Sequence, residues 1–418
     1  MKRNEVQSAQ AQSKMKLILS SIGAGAVLMS AVMGPGSLAT MLVTGSQYGN
    51  SMLWVTLLAV ILSCVIAYVG GKIACVKNKN LYEFFEDEIG KVFTLVLLGV
   101  VLITWSLVIF SQGKTLLTTV QFLSGTEGTL SFLLFIAVEI IIGYVFTSGK
   151  NNAQNIASAM VTLLSIMFLV NIFVIKPNVG SVAVGLLPKL PKWSEAAIIA
   201  SIIGSSAPGT SAGWYSFSVI ENKHDNPNKL RDIAIDQTYY TTIFGIFCIG
   251  AYLSASEILY PLGIKVNNAI DAATALEPVA GKFASYIISI GFFGALFTTV
   301  GGMGSFLAKG VRTFYKISTN HSKEDNVYEK IAKHLIWVGI LISILGGFVP
   351  GSAMQYLVGF IGLLTVGGSI ITILVFYYTS SEKHMGEYKN GILLNILCIL
   401  LVLVNGYSAI SVLLRLLS

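Results

Sequence analysis

Long apolar stretches separated by short polar segments form the main pattern of this sequence. Stretches of about 20 apolar residues are long enough to cross a ~30 Å hydrocarbon core as helices. The pattern predicts eleven such spans, at 17–46, 51–74, 92–123, 130–148, 154–176, 194–220, 235–260, 279–308, 331–350, 355–379 and 391–414. These stretches are too long and continuous for the ~10-residue alternating strands of an outer-membrane barrel. The pattern therefore predicts an all-α integral membrane fold.

Composition supports the same fold class. Hydrophobic residues make up 54% of the chain and charged residues only 11%, and the mean hydropathy is +0.75. Soluble domains carry about 25% charged residues, so the lipid bilayer is the expected environment. We interpret residues 1–16 as a polar N-terminal tail and residues 17–418 as one transmembrane domain, because the first apolar stretch is too long for a signal peptide.

The distribution of Lys and Arg predicts the orientation of the chain. If the N-terminus is cytoplasmic, six of these residues lie outside, Lys114 lies within a span, and the remaining 20 of the 27 lie on the cytoplasmic side. This asymmetry satisfies the positive-inside rule and explains the net charge of +7 without nucleic acid. We expect a cell-membrane protein whose C-terminus is extracytoplasmic, since the number of spans is odd.

Catalytic and cofactor-binding motifs are not recognisable. The four Cys and four His residues show no metal-ligand spacing, and we find no Gly-rich phosphate loop, GxSxG or HExxH. We therefore expect neither an enzyme nor a bound cofactor.

Two similar helix breaks lie in the middle of long apolar stretches. The first span contains "GPGS" at 34–37 and the sixth contains "APGT" at 207–210. Five spans separate the start of one unit from the start of the next, so the second unit enters the membrane in the opposite direction. Paired breaks of this kind indicate the midplane binding site of a secondary transporter, although each could be an ordinary proline kink. We expect inverted repeats at about 17–176 and 194–379, with an extra helix at about 391–414.

Three longer motifs resemble the NRAMP divalent-metal transporters, which have a LeuT-type fold. "GPGSLATMLVTGSQYGNSMLWVTLLA" (34–59) is similar to the first two helices of that family, and "GLLPKLP" (185–191) to the segment before its broken sixth helix. "DAATALEPVAGKFASYIISIGFFGALFTTVGG" (271–302) is similar to its eighth helix. The resemblance implies about eleven helices in a LeuT-type arrangement, with spans 1–5 and 6–10 as inverted repeats, and transport by alternating access.

The family's metal ligands are not kept in this chain. The resemblance places the metal-binding Asp and Asn of the first break at Gly34 and Ser37, and the Met and His of the second break at Ala207 and Gly209. Gln355, at the start of the tenth span, matches a Gln that joins the site in the family. The acidic residues of the third helix are replaced by apolar ones.

Backbone at the two breaks is expected to line the substrate site. Half-helix N-termini present free N–H groups and a partial positive charge, which suit an anion, and a divalent ion without carboxylate ligands would have to lose its water to neutral oxygens. We therefore expect a small polar or anionic organic solute, such as a carboxylate and including aromatic ones. The predicted binding residues are Gly34, Gly36, Ser37, Thr40, Gly204, Ser205, Ser206, Ala207, Gly209, Thr210, Trp214 and Gln355.

Two charged residues lie far from the ends of the predicted spans. Lys114 lies in the third span and Glu139 near the middle of the fourth, and such residues face protein or water because lipid exposure is costly. They could form a structural pair with each other. Alternatively, Lys114 attracts an anionic substrate, or Glu139 carries coupling protons.

The sequence thus predicts a secondary transporter for an organic solute, coupled to H⁺ or Na⁺. Two alternatives remain open at this point: a transporter of Mn²⁺ or Mg²⁺ with an unusual site, and a non-transporting sensor that keeps the fold.

Overall fold

The computed structural model describes residues 24–189, 195–265, 269–319, 325–351 and 353–417, which form helices joined by turns and loops. The first half contains α1 (Ala24–Val32), α2 (Pro35–Tyr48), α3 (Leu53–Lys77), α4 (Leu81–Ile89), α5 (Lys91–Ser124), α6 (Thr129–Thr147), α7 (Lys150–Ile175) and α8 (Val179–Gly185). The second half contains α9 (Ala196–Ser206), α10 (Ser211–Glu221), α11 (Leu230–Ile258), α12 (Ala269–Thr319), α13 (Asp325–Gly347), α14 (Ala353–Ser380), α15 (Glu382–Met385) and α16 (Ile392–Leu417). Short 3₁₀ turns lie at Gly49–Met52, Pro227–Lys229 and Gly386–Tyr388. The predicted N-terminal tail, 1–16, lies outside the described residues.

The all-α membrane fold is confirmed. Within the described residues, eight helical segments are long and apolar enough to cross a bilayer, the first of them combining α2 and α3. The predicted sixth span is divided into two short helices, and the ninth has a shorter apolar part, Lys333–Gly347. These differences explain why fewer uninterrupted spans appear than the eleven that hydropathy predicts.

Both predicted helix breaks are present. At the first, α1 ends at Val32, Gly34 is extended (φ −95°, ψ 178°), and Pro35 opens α2, where a residue without an N–H costs no hydrogen bond. At the second, α9 ends at Ser206 and Ala207 leaves the helical region (φ −128°, ψ 55°) before α10 begins. Each break leaves backbone groups in the middle of the bundle.

The packing of the broken spans shows a reciprocal relationship between the two halves. The second span of the first half, α3, packs along α10, and the equivalent span of the second half, α11, packs along α2. A second group of helices surrounds α5, which packs along α12, α13 and α14. Inverted repeats produce this exchange of contacts. It places both breaks between the group that contains α3 and α11 and the group that surrounds α5.

A short surface helix, α4, connects the second and third spans. Asn80 caps it, because its side chain accepts the N–H groups of Tyr82 and Glu83 while the Glu83 side chain accepts the Asn80 N–H. Its aromatic residues are buried, and Tyr82 stacks on Phe217 of α10 with ring centroids 5.7 Å apart. α4 therefore holds α10 on the side of the membrane predicted to be cytoplasmic.

Candidate substrate site

The two breaks line one small cavity of about 50 Å³. The first break contributes Gly34, Gly36 and Ser37, and the second contributes Gly204, Ser205 and Pro208. The opposite walls come from three other helices and contain Gln112 of α5, Thr299 and Met303 of α12, and Ile361, Leu364 and Thr365 of α14. Residues of both breaks thus line the same space, and that a substrate binds there stays a prediction.

Side chains of the first break satisfy much of its free backbone. The Ser37 hydroxyl lies 3.0 Å from the carbonyl oxygens of both Val32 and Gly34, to which it donates. The Thr40 hydroxyl donates to the Gly36 carbonyl at 2.8 Å. These hydroxyl oxygens therefore keep lone pairs, and their protons are directed to the backbone rather than to a ligand.

Two buried polar atoms at the cavity have no hydrogen-bond partner. They are Oε1 of Gln112 and Nε1 of Trp214, and each residue is only 2% exposed. Leaving a buried polar atom unpaired costs about 1–3 kcal/mol. Both residues line the cavity, so a ligand or a water bound there would remove that cost by forming the missing hydrogen bonds. To such a ligand, Oε1 of Gln112 is an acceptor.

Trp214 forms the aromatic floor of the cavity. Its ring stacks on Phe306 of α12 (centroids 5.5 Å apart, planes at 12°) and contacts Trp105 of α5 (5.4 Å). Farther along the same two helices, Lys309 pairs with Glu221 at 2.9 Å. These contacts close the space between α10 and α12 on the side that carries α4.

On the other side, the cavity adjoins a larger chamber of about 490 Å³. The two spaces share Gly36, Gly204, Ser205, Ile361 and Thr365 in their walls. The chamber is bounded by α2, α9, α14 and α16, and its polar lining consists of hydroxyl groups from Thr40, Ser201, Ser205, Thr365, Tyr407, Ser408 and Ser411. The structure thus has its central cavity open to the chamber and closed toward α4.

The remaining predicted residues of the second break do not line the cavity. The side chains of Ser206 and Thr210 are fully buried, and their hydroxyl oxygens have no partner. Ala207 is also fully buried, and Gly209 lies against the backbone of Gly368 in α14. The side chain of Gln355 lies outside the described residues.

Lys114 and Glu139 do not form the structural pair that the sequence left open. Glu139 is fully buried in α6 and accepts the Ser343 hydroxyl of α13 at 2.5 Å, while its second carboxylate oxygen has no partner. Both residues lie in the described part of the chain, where no ion pair joins them. The helical spacing could not reveal Ser343, which is 204 residues away.

Metal-ligating side chains are not clustered in the described residues. No group of three or more His, Cys, Asp or Glu residues there is close enough to hold an ion. Any cation in the central cavity would therefore meet neutral oxygens and the Met303 thioether.

The wall residues that the sequence did not predict include those with a side chain able to contact an ion, namely Gln112, Thr299, Met303 and Thr365. They lie on spans that contain no break. The available signal was the presence of amide and hydroxyl groups within apolar spans, as in "FSQGK" and "LFTTVGG", which are expected to face protein rather than lipid.

Sequence comparisons identify related proteins over nearly the whole chain. A family model described as natural resistance-associated macrophage protein-like (Nramp) matches residues 25–415. The "Divalent metal cation transporter MntH" of Pectobacterium carotovorum is 20% identical over 409 residues, covering 94% of this chain and 93% of that protein. The "Natural resistance-associated macrophage protein 2 homolog" of Dictyostelium discoideum is 24% identical over 91% of this chain, which spans only 61% of that relative.

Solved structures show the same fold. A manganese transporter of Eremococcus coleocola superposes with a TM-score of 0.69 at 15% identity, covering 95% of this chain and 87% of that one. MhsT, solved in complex with L-phenylalanine, superposes with a TM-score of 0.59 at 14% identity, covering 95% of this chain and 97% of that one. The fold with broken first and sixth helices, predicted from the sequence, is thereby confirmed.

Proposed function

The chain belongs to the natural resistance-associated macrophage protein-like (Nramp) family, and from this membership we propose that it carries a divalent metal cation across its membrane by alternating access. Its family and its apolar helices identify it as a multi-pass membrane transporter and not an enzyme. The identity of the substrate and the coupling ion are the parts that we propose.

The choice of substrate reverses the main expectation from the sequence. The relatives are named as transporters of divalent metal cations or manganese, which supports the metal alternative better than an organic solute. The central cavity supports it as well, because about 50 Å³ is too little for an aromatic acid. A water needs only about 10–15 Å³ measured in this way, so an ion with a few waters fits.

The observation that carries the proposal is the unpartnered Oε1 of Gln112 in the cavity wall. An amide oxygen is a ligand that hard divalent ions accept, and Mg²⁺ in particular keeps several of its waters when bound. Oxygen ligands and water suit Mn²⁺ in the same way. We therefore propose Mn²⁺ or Mg²⁺ as the substrate, held by neutral oxygens with part of its water retained.

Coupling to H⁺ or Na⁺ completes the proposed mechanism. Glu139 is linked to the pocket helix α5 through its partner Ser343, whose carbonyl lies against Gly113, the neighbour of Gln112. One of its oxygens is unpaired. We assign it the role of a coupling group. Among the residues that the structure describes, no hydrogen bond or ion pair of Lys114 supports such a role.

Flux measurements in proteoliposomes test the substrate. We expect saturable Mn²⁺ or Mg²⁺ uptake by the intact protein, and a lower affinity for the ion in Gln112→Ala. Gln121→Ala is the matched control, because Gln121 lies on the same helix and bonds Ser131 away from the cavity. An absence of metal flux, together with robust flux of a carboxylate, would reject the proposal, and an absence of all flux would indicate a sensor.

An organic solute remains a second candidate because of the adjoining chamber. With about 490 Å³ and a hydroxyl lining, the chamber is large enough for a small organic molecule. Competition by such a molecule against metal uptake would show binding in the chamber, whereas its own accumulation would show transport.

A further inference from the structure

A second buried polar cluster lies on the side of the breaks that carries α4. It consists of Asp236, Gln237 and Tyr240 on α11, Tyr215 on α10 and Gly25 on α1. The four side chains are at most 1% exposed, and none of them lines the central cavity. The cluster therefore joins three helices at a point separate from the proposed substrate site.

The carboxylate of Asp236 is at the centre of these contacts. The Tyr215 hydroxyl donates to Asp236 Oδ2 at 2.8 Å and lies 3.3 Å from the Ile233 carbonyl oxygen. On the opposite side, a Cβ at Gly25 would lie 2.9 Å from the same Oδ2 and 3.1 Å from Gln237 Nε2. The carboxylate thus touches both half-helices that end or begin at a break.

The side-chain amide of Gln237 lacks hydrogen bonds in this arrangement. Its residue is fully buried, and neither Oε1 nor Nε2 has a hydrogen-bond partner. Buried amides are normally paired. The Gln237 amide, which lies near the Tyr215 hydroxyl, therefore offers the cluster a donor and an acceptor that this geometry does not use.

The ligand that fits this cluster is a proton. A methyl group at Gly25 would already lie 2.7 Å from the Tyr240 ring, so the space does not admit a metal ion with its coordination shell. A carboxylate inside the membrane region is costly and is expected to belong to an ion pathway. We propose that Asp236 is a proton-binding site whose occupancy controls the contact of α1 and α10 with α11.

The direction of the effect follows from the hydrogen bond. An ionised carboxylate accepts the Tyr215 hydroxyl in a charge-assisted bond, which is about twice as strong as a neutral one. Protonation weakens that bond and thereby the contact of α10 with α11. Proton binding therefore favours opening of the side that carries α4, whereas the ionised form keeps it closed.

Few other titratable groups face the cluster within the described residues. Tyr240 lies on α11 itself and donates to Ser158 of α7 at 3.1 Å, and its ring centroid lies 5.0 Å from that of Tyr239. Cys64 of α3 is near enough to Tyr215 to interact with it electrostatically. The described part of α1, Ala24–Val32, contains no titratable side chain. Asp232, one turn earlier on α11, pairs with Lys229 at 2.9 Å.

Fluorescence of Trp214 provides a test that needs no metal and no flux. Trp214 precedes Tyr215 and stacks on Phe306, so its emission responds when α10 moves. In the purified full-length protein we expect a sigmoidal change of emission with pH that is absent from Trp214→Phe. Asp236→Asn should lose the transition, whereas Asp232→Asn should keep it with an unchanged midpoint.

Two further variants separate proton binding from a structural role. Asp236→Glu should retain a transition, and Tyr215→Phe should shift its midpoint upward by about one pH unit, because the ionised form loses a hydrogen bond. Exchanging Na⁺ for K⁺ should leave the midpoint unchanged. A transition that persists in Asp236→Asn, one that is absent from the wild type, or a midpoint that moves with Na⁺ would overturn the proposal, whatever the outcome of the metal flux experiments.

Discussion

The hydroxyl oxygen of Thr299 occupies the space beside Gly34 that any larger side chain would enter first. A Cβ at position 34 would lie 2.8 Å from this oxygen. Thr299 is held there because its hydroxyl donates to the Ser30 carbonyl at 3.1 Å. Thr299 of α12 therefore occupies the space that an Asp side chain at position 34, as in the family pattern, would need in order to reach an ion. Glycine fits beside Thr299 because it has no side chain.

Gly34→Asp alone is expected to impair the protein rather than restore a carboxylate site. Overpacking of a close contact costs typically 1–3 kcal/mol, and a charge buried beside Thr299 adds to that cost. We expect a lower melting temperature and reduced Mn²⁺ uptake. Thermal unfolding in detergent and uptake into proteoliposomes measure both quantities.

The double variant Gly34→Asp, Thr299→Ala should recover stability and bind Mn²⁺ more tightly than the wild type. Removal of the threonine hydroxyl makes space for the carboxylate, which is a strong ligand for such ions. Thr299→Ala alone serves as the control. If the double variant is no better than Gly34→Asp alone, the steric explanation of Gly34 is wrong.

Gln112→Glu should increase the affinity for a divalent cation, whereas Gln112→Ala should decrease it about tenfold. The first change replaces a neutral ligand by a charged one in the cavity wall, and the second removes an acceptor worth about 1–1.5 kcal/mol. Isothermal titration with Mn²⁺ measures both effects. Equal affinities in the three proteins would exclude Gln112 from the site.

The breaks could be read from the sequence because Pro and Gly act locally. Pro35 and Pro208 prevent the preceding helices from continuing, because proline lacks an N–H and its ring clashes with the preceding turn, whatever surrounds it. The wall residues Gln112 and Thr299 could not be read in this way. Their role depends on how α5 and α12 turn toward the breaks, which is a property of packing between distant segments.

The same limit explains why the sequence left open whether Lys114 pairs with Glu139. Hydropathy shows that each charge must face protein, but it does not show which partner is within reach. The structure gives Glu139 a hydroxyl from α13 instead. A single sequence therefore predicted the fold and the part of the cavity wall that the two breaks form, and the rest required the tertiary contacts.

Glu139→Gln should keep the fold and weaken the dependence of uptake on the coupling ion. The change preserves the volume and the acceptor for Ser343 while removing the ability to carry a proton. We expect uptake driven by the metal gradient to continue and uptake driven by a pH gradient to fall. Proteoliposomes loaded at two internal pH values separate the two conditions.

Ser343→Ala is the companion variant for Glu139. It leaves a buried carboxyl group with no partner, which costs about 1–3 kcal/mol or more. A lower melting temperature with coupling retained would show that Ser343 supports the residue only structurally. If Glu139→Gln retains uptake driven by the pH gradient, Glu139 is not a coupling group.

Gly209→Ala is expected to be far more damaging than Gly204→Ala, although both glycines belong to the second break. A Cβ at Gly209 would collide with the Gly368 carbonyl oxygen of α14, whereas a Cβ at Gly204 would meet only the Ser408 hydroxyl at an ordinary 3.7 Å. Backbone cannot yield as a flexible side chain can, so the first change must separate α14 from the break. We expect a melting temperature lowered by several degrees in Gly209→Ala, which follows from a loss of about 1–3 kcal/mol, and a change within error in Gly204→Ala. Equal stability of the two variants would show that α14 does not pack against the second break as closely as the structure places it.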